Sequence, residues 1–181
     1  MVNELNVTFK KVILLSALTV LMGVGIVYVL SLNFGSSSPP PSLPITAEGV
    51  DEQVGLKLTM TLQKTEYSLN EPINITLTII NISNQTINYS CSQPNFDFWV
   101  YNDTNNDIYR WSNFRFFPDY VVNMPLNTGE GLTGVLAWPQ TCNKTMSSEG
   151  VTVSPGTYYI VGQGPMYRLQ TTPIQVTIIK P

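Results

Sequence analysis

The chain has 181 residues, with nine Lys or Arg against twelve Asp or Glu, no histidine and a formal net charge of −3. Without histidine it lacks the commonest general base and metal ligand, which excludes Ser-His-Asp and Cys-His catalysis. No basic patch is present, so nucleic acid is excluded as a partner. A 43% hydrophobic content excludes a disordered chain.

Chain order begins with a short tail, residues 1–11, ending in Lys10 and Lys11. Val12–Phe34 (VILLSALTVLMGVGIVYVLSLNF) then carries no charge. About 20 apolar residues cross a bilayer core, so this segment predicts one transmembrane signal-anchor helix. The two lysines place the tail in the cytoplasm and everything beyond Phe34 outside the cell, in a single-pass arrangement. The alternative is secretion after signal cleavage, but a cleaved signal has an apolar core of about 7–15 residues and an A-x-A-like site. Residues 35–54 open with GSSSPPPSLP, a Ser/Pro-rich linker whose Pro39-Pro40-Pro41 run favours extended polyproline II.

Residues 55–181 form the predicted folded domain. Gly55–Gln63 alternates Leu56, Leu58, Met60 and Leu62 with polar residues, and Ile73–Ile80 alternates Ile73, Ile75, Leu77 and Ile79. This period of two marks half-buried strands. Thr86–Cys91 repeats it through Ile87 and Tyr89. Phe96–Tyr101 is an aromatic strand, Asp103–Asp107 a hairpin turn by its residue types, and Ile108–Ser112 the return strand. Asn113–Asn127 reads as an irregular loop. Leu132–Trp138, Thr157–Gly162 and Ile174–Ile179 complete seven or eight short strands with no helical period. That pattern predicts an all-β, immunoglobulin-like antiparallel β-sandwich, with a barrel as the alternative.

The order of features resembles the BsuPI domain family, named for an intracellular proteinase inhibitor. The resemblance lies in Tyr67-Ser68-Leu69-Asn70-Glu71-Pro72-Ile73, the strand and turn Leu77–Asn84, the aromatic strand Phe96–Tyr101 with its return Ile108–Ser112, and Pro155-Gly156-Thr157-Tyr158. Asn70 stands where the family usually has glycine. The resemblance implies a proteinase inhibitor acting through an exposed loop, for which residues 113–127, with Phe116, Phe117 and Tyr120, are the candidate. The leading expectation is a non-catalytic cell-surface binding or structural module, with a protein or surface-glycan partner beside the membrane itself. No cofactor is expected.

Other residue types suggest further sites. Cys91 and Cys142, the two cysteines, are expected to pair outside the cell. Such a bridge closes a loop of about 50 residues, worth roughly 3–4 kcal/mol in the chain-entropy account. N-x-[ST] sequons begin at Asn74, Asn81, Asn84, Asn88, Asn102 and Asn143, and at Asn6 on the cytoplasmic side. The six outer ones are candidate glycan carriers. Asp97, Asp103, Asp107 and Asp119 are ordinary turn acids rather than a calcium loop, since no D-x-D-x-D-G pattern occurs. Trp99, Tyr101, Tyr109, Trp111, Phe114, Phe116 and Phe117 are either core or an exposed contact patch, with Arg110 and Arg115 able to stack on them. The scarcity of charged pairs and the absence of histidine predict a domain that stays folded at unusually low pH.

Overall fold

A computed structural model of the chain describes residues 43–92, 94–118, 121–145, 150–165 and 169–180. The expected tail, the anchor Val12–Phe34 and the start of the linker lie outside the described residues. Among the described residues, no helix is long and apolar enough to cross a membrane.

Among the described residues thirteen strands follow in chain order: β1 Ile45–Asp51, β2 Leu56–Leu62, β3 Glu66–Ser68, β4 Ile73–Asn81, β5 Ile87–Ser92, β6 Asp97–Asn102, β7 Asp107–Arg110, β8 Val121–Leu126, β9 Gly131–Trp138, β10 Thr141–Cys142, β11 Val151–Thr152, β12 Gly156–Gln163 and β13 Ile174–Ile179. One sheet has the order β1-β2-β4-β9 and a second β3-β13-β12-β6-β7. All pairings are antiparallel except β3 with β13. Two ribbons, β5-β8 and β10-β11, flank them.

The alternation that predicts the strands also fixes which face is buried. Leu56, Leu58, Met60 and Leu62 of β2 and Ile73, Ile75, Leu77 and Ile79 of β4 all point inward. They meet Phe98 and Val100 of β6, Ile160 of β12 and Val176 and Ile178 of β13 in one shared core. The two sheets therefore pack as a β-sandwich. They approach closely at Gly162, where a Cβ would sit 2.5 Å from Leu77 Cδ2 and 3.4 Å from Met60 Cβ. Only glycine lets the β12 backbone approach the side chains of the opposite sheet so closely.

Three expectations about extent are corrected. The assigned linker ends too late, because Ile45–Asp51 pairs along β2 as an edge strand. The loop 113–127 is irregular only in its first half, since Val121–Leu126 pairs with β5. Among the described residues thirteen strands stand in place of seven or eight, the additions being short or on edges.

Two features of the resemblance acquire physical reasons. Asn70 has φ = 69° in a turn closed by Glu71 N–H donating to Ser68 O at 3.0 Å. A left-handed third residue is where such a turn takes Gly or Asn, so Asn70 substitutes for glycine without loss. At Pro155-Gly156-Thr157-Tyr158, the Tyr158 hydroxyl donates to Ser154 O at 2.7 Å. A tyrosine at a strand start that bonds back a few residues upstream pins a sandwich corner.

Candidate functional site

The aromatic residues fall into three groups. Tyr109 points inward from β7 and belongs to the core. Its ring stacks on Phe98 with centroids 5.7 Å apart and lies 6.5 Å from Trp138, which meets Tyr158 edge-on at 5.4 Å. Trp99 and Tyr101 of β6 point the other way, onto the outer face of the second sheet, and are half-buried. Tyr101 stacks on Tyr159 of the neighbouring β12 at 5.2 Å, with planes 14° apart. The third group follows β7. There Trp111 packs on Phe117 at 5.7 Å and Arg115 lies 4.5 Å over the Trp111 ring.

That third group sits on a loop whose base is firmly held. The Asp97 carboxylate, on a side chain only 6% exposed, accepts from Arg110 Nε at 2.8 Å, Ser112 Oγ at 2.7 Å, Ser112 N at 3.0 Å and Phe98 N at 2.9 Å. A buried carboxylate is tolerated only when paired and bonded in this way. Asn113 N donates to Arg110 O, and Asn113 Nδ2 donates to Asn143 O at 3.2 Å. Beyond this base the chain leaves the sheet through Phe114, at φ = 58°. Phe116 then stands 94% exposed. Of the expected loop residues, Phe116 is thus an exposed apolar side chain and Phe117 packs on Trp111, while Tyr120 lies outside the described residues.

Beside this loop a groove of about 470 Å³ opens on the outer face near β7, lined among others by Trp99, Asp107, Arg110, Asn113, Lys144 and Gln163. Arg110 lies 5.8 Å from the Trp99 ring centre and donates through Nη2 to Gln163 Oε1 at 2.5 Å. Gln163 and Gln170 form an isolated bridge at its far side. A smaller, more apolar cavity lies between the β1–β2 turn and β5, with Leu56, Ile87, Tyr89 and Leu169 in its wall.

The sequons divide sharply. Asn74, Asn84 and Asn88 are exposed, and Asn102 is half-exposed at the β6–β7 turn. There Asn102 Oδ1 accepts from Thr104 N, Thr104 Oγ and Asn106 N. Asn81 and Asn143, by contrast, are buried braces. Asn81 Nδ2 donates to Gln85 O and Leu126 O, both at 2.8 Å, and its Oδ1 accepts from Ser83. Asn143 Nδ2 donates to Arg110 O at 2.7 Å while its Oδ1 accepts from Arg110 N at 2.8 Å. Each uses the nitrogen a glycan would occupy, so the folded domain has no room for glycans at Asn81 and Asn143.

The cysteines are not joined in this structure. Cys142 is a free, partly buried thiol in β10, pushed above its ordinary pKa by burial, so the Cys91–Cys142 bridge expected from the sequence is absent here. Cys91 lies in the β5 backbone opposite Val122, and its side chain is outside what is described. Asp103 is an exposed turn residue, Asp107 is the exposed first residue of β7, and Asp97 is engaged as above. Among the described residues no three acidic, histidine or cysteine groups gather to hold a metal. Asp119 lies outside them.

One brace was not anticipated at all. Gln140 is fully buried with φ = 58°. Its Oε1 accepts from Asn70 N at 2.8 Å and its Nε2 donates to Ser68 O at 3.0 Å and Glu71 O at 2.7 Å. It fills the Tyr67–Pro72 turn from the opposite sheet. A Pro-Gln pair ending an apolar strand carries no sequence sign of this.

These features define a small β-sandwich that presents a held aromatic loop and an aromatic-amide groove on one side. The chain belongs to the BsuPI family, described as intracellular proteinase inhibitor, whose profile matches residues 60–164. No curated protein matches it in sequence. Among solved structures it is similar to a β-glucosidase from Listeria innocua in complex with glucose (16% identity, 68% of this chain, TM-score 0.44). It is also similar to a β-glucosidase from Erythrobacter marinus (10%, 75% of this chain, 0.42) and to the CARDB domain of a Pyrococcus furiosus protein in complex with di-metal ions (11%, 68%, 0.38). The match spans 16% of each β-glucosidase and 87% of the CARDB domain.

Proposed function

We propose that the protein is a non-catalytic binding module, held at a membrane by Val12–Phe34, that engages a protein partner through the loop 111–118. The observation that carries this reading is Phe116. A phenylalanine left 94% exposed gives up burial worth about 1.5–3 kcal/mol unless a partner covers it. Its loop is clamped at the base by Asp97, Ser112 and Asn113, so little conformational entropy is lost when it docks. Aromatic anchors of this kind dominate interface energetics.

The family description favours one specific form of this reading, a proteinase inhibitor in which Phe116 enters an apolar specificity pocket. Both forms use the same loop. The full-length protein in lipid nanodiscs is to be assayed against a panel of serine and cysteine proteases, and also used as bait on solubilised membranes. Inhibition or capture lost on Phe116→Ala supports the loop. Inhibition or capture that survives Phe116→Ala overturns it, and capture without inhibition overturns the inhibitor form.

The outer location belongs to the same proposal. Protease added to intact cells is expected to remove the domain and leave residues 1–11 protected. A protected domain would reverse the orientation read from Lys10 and Lys11. Glycans, where the host adds them, belong at Asn74, Asn84, Asn88 and Asn102. Mass spectrometry that finds a glycan at Asn81 or Asn143 in folded protein would contradict the brace geometry.

A further inference from the structure

We infer that the groove on the outer face of the β6–β7 corner is a binding site for a neutral oligosaccharide. A sugar ring offers an apolar C–H face and a rim of hydroxyls that each donate and accept. Its complement is a flat aromatic surface bordered by planar amides and a few charged groups of balanced sign. The groove has both. Trp99 forms the aromatic part, and Asn113 and the exposed Gln170 bring amides to its lining, with the buried Gln163 beneath. Its volume of about 470 Å³ falls in the roughly 300–1,000 Å³ range of small-molecule sites.

The charges indicate a neutral ligand. Arg110 is already matched by Asp97 at 2.8 Å, and the lining adds one further cation, Lys144, and one further anion, Asp107. An acidic sugar would find no surplus positive charge, and a cationic one no surplus negative charge.

The site is also built before any ligand arrives. The Arg110 guanidinium is fixed between Asp97 and Gln163 and sits 5.8 Å from the Trp99 ring centre. Gln163 is itself 2% exposed, so its amide is held by packing. Positions fixed in this way lose little freedom on binding. Tyr101, two residues along β6 from Trp99, and its stacked partner Tyr159 continue the aromatic surface beyond the groove. That continuation suits a chain of sugar units better than a single one. The site shares Asn113 with the base of the Phe116 loop but not the loop's exposed tip, so Phe116→Ala separates the two readings.

The test is calorimetric titration of the full-length protein in nanodiscs with neutral gluco-, xylo- and manno-oligosaccharides, and with hexuronate oligomers of equal length. At least one neutral series is expected to bind, more tightly as the chain grows from one to several units. Trp99→Ala is expected to weaken it by at least about tenfold, and Trp99→Phe by no more than about threefold. Asp107→Ala removes an exposed rim group that the fold does not use, and is expected to weaken binding several-fold even if Trp99→Ala proves unstable. Phe116→Ala should leave sugar binding unchanged. Absence of binding to every neutral series, preference for the uronates, affinity unmoved by Asp107→Ala, or affinity unmoved by a folded Trp99→Ala would overturn the inference.

Discussion

Two aromatic groups lie one strand apart and have opposite fates. Phe98, Tyr109, Trp138 and Tyr158 form a continuous buried chain in which Trp138 Nε1 donates to Thr141 O at 3.0 Å and Tyr158 OH to Ser154 O. Trp111 and Phe117 are as aromatic, yet stay half-buried at the edge of the core, and Phe116 beside them in the chain is uncovered. Composition does not separate the two. What does is the end of β7 at Arg110, after which strict alternation stops and the backbone turns out through the left-handed Phe114. An aromatic residue on a strand's inner face is stabilised by the sheet opposite. One on a clamped loop stabilises little within its own chain and is available to another.

The sharpest way to break the comparison is to truncate one member of each group. Trp138→Ala is expected to cost about 3–5 kcal/mol, read as a lower urea midpoint with an unchanged slope. Phe116→Ala is the smallest expected effect, within about 0.5 kcal/mol. A large loss at Phe116 would mean the loop is core after all. Between them lies Gln140→Gly, which keeps the left-handed backbone but strands Asn70 N–H and the carbonyls of Ser68 and Glu71, at about 2–3 kcal/mol. Thermal unfolding followed by near-UV circular dichroism measures it, and a shift like that of Phe116→Ala would show that water replaces the amide.

An effect of similar size to that of Phe116→Ala is expected from Glu71. The Lys64 ammonium, bonded to its carboxylate at 2.7 Å, and the Ser68 N–H hold its pKa below the ordinary glutamate value. The stability this gives is present above the ordinary pKa and lost as pH falls through the lowered one. The pair is solvent-screened, so the contribution is a few tenths of a kcal/mol, and Glu71→Gln should flatten only the acid limb of stability against pH. The wild-type domain should keep its near-UV signal to below about pH 4, since few native carboxylates must be protonated against a partner. Cooperative loss above that pH would overturn this expectation.

The strands legible in sequence were those with an apolar face. β2, β4 and β13 follow directly from Leu56–Leu62, Ile73–Ile79 and Ile174–Ile179. β1 was hidden because only Ala47 of its residues is fully buried, and Gly49 is needed where the Gln170 carbonyl presses against it. β8 was hidden by Asn123 and by Pro125, a residue that pairs only on an edge. In the site, the aromatic cluster and the exposed Phe116 lay within the expected region. The roles of Asn81, Asn143 and Gln140 did not, because a buried amide and a surface amide have the same local sequence. Only the tertiary position of the backbone groups they serve tells them apart.

Asn143 has one more consequence. β7 is the last strand of its sheet, with a row of peptide groups facing away from β6. Asn143 occupies that row, its side chain bonding both N–H and C=O of Arg110 and its own N–H donating to Ile108 O at 3.1 Å. An extended chain arriving at this edge finds the hydrogen bonds already made, so neither a second copy nor a foreign strand can extend the sheet at Arg110. The domain is thereby closed to growth by strand addition beside the very loop that reaches outward, and contact on this side must be made by side chains.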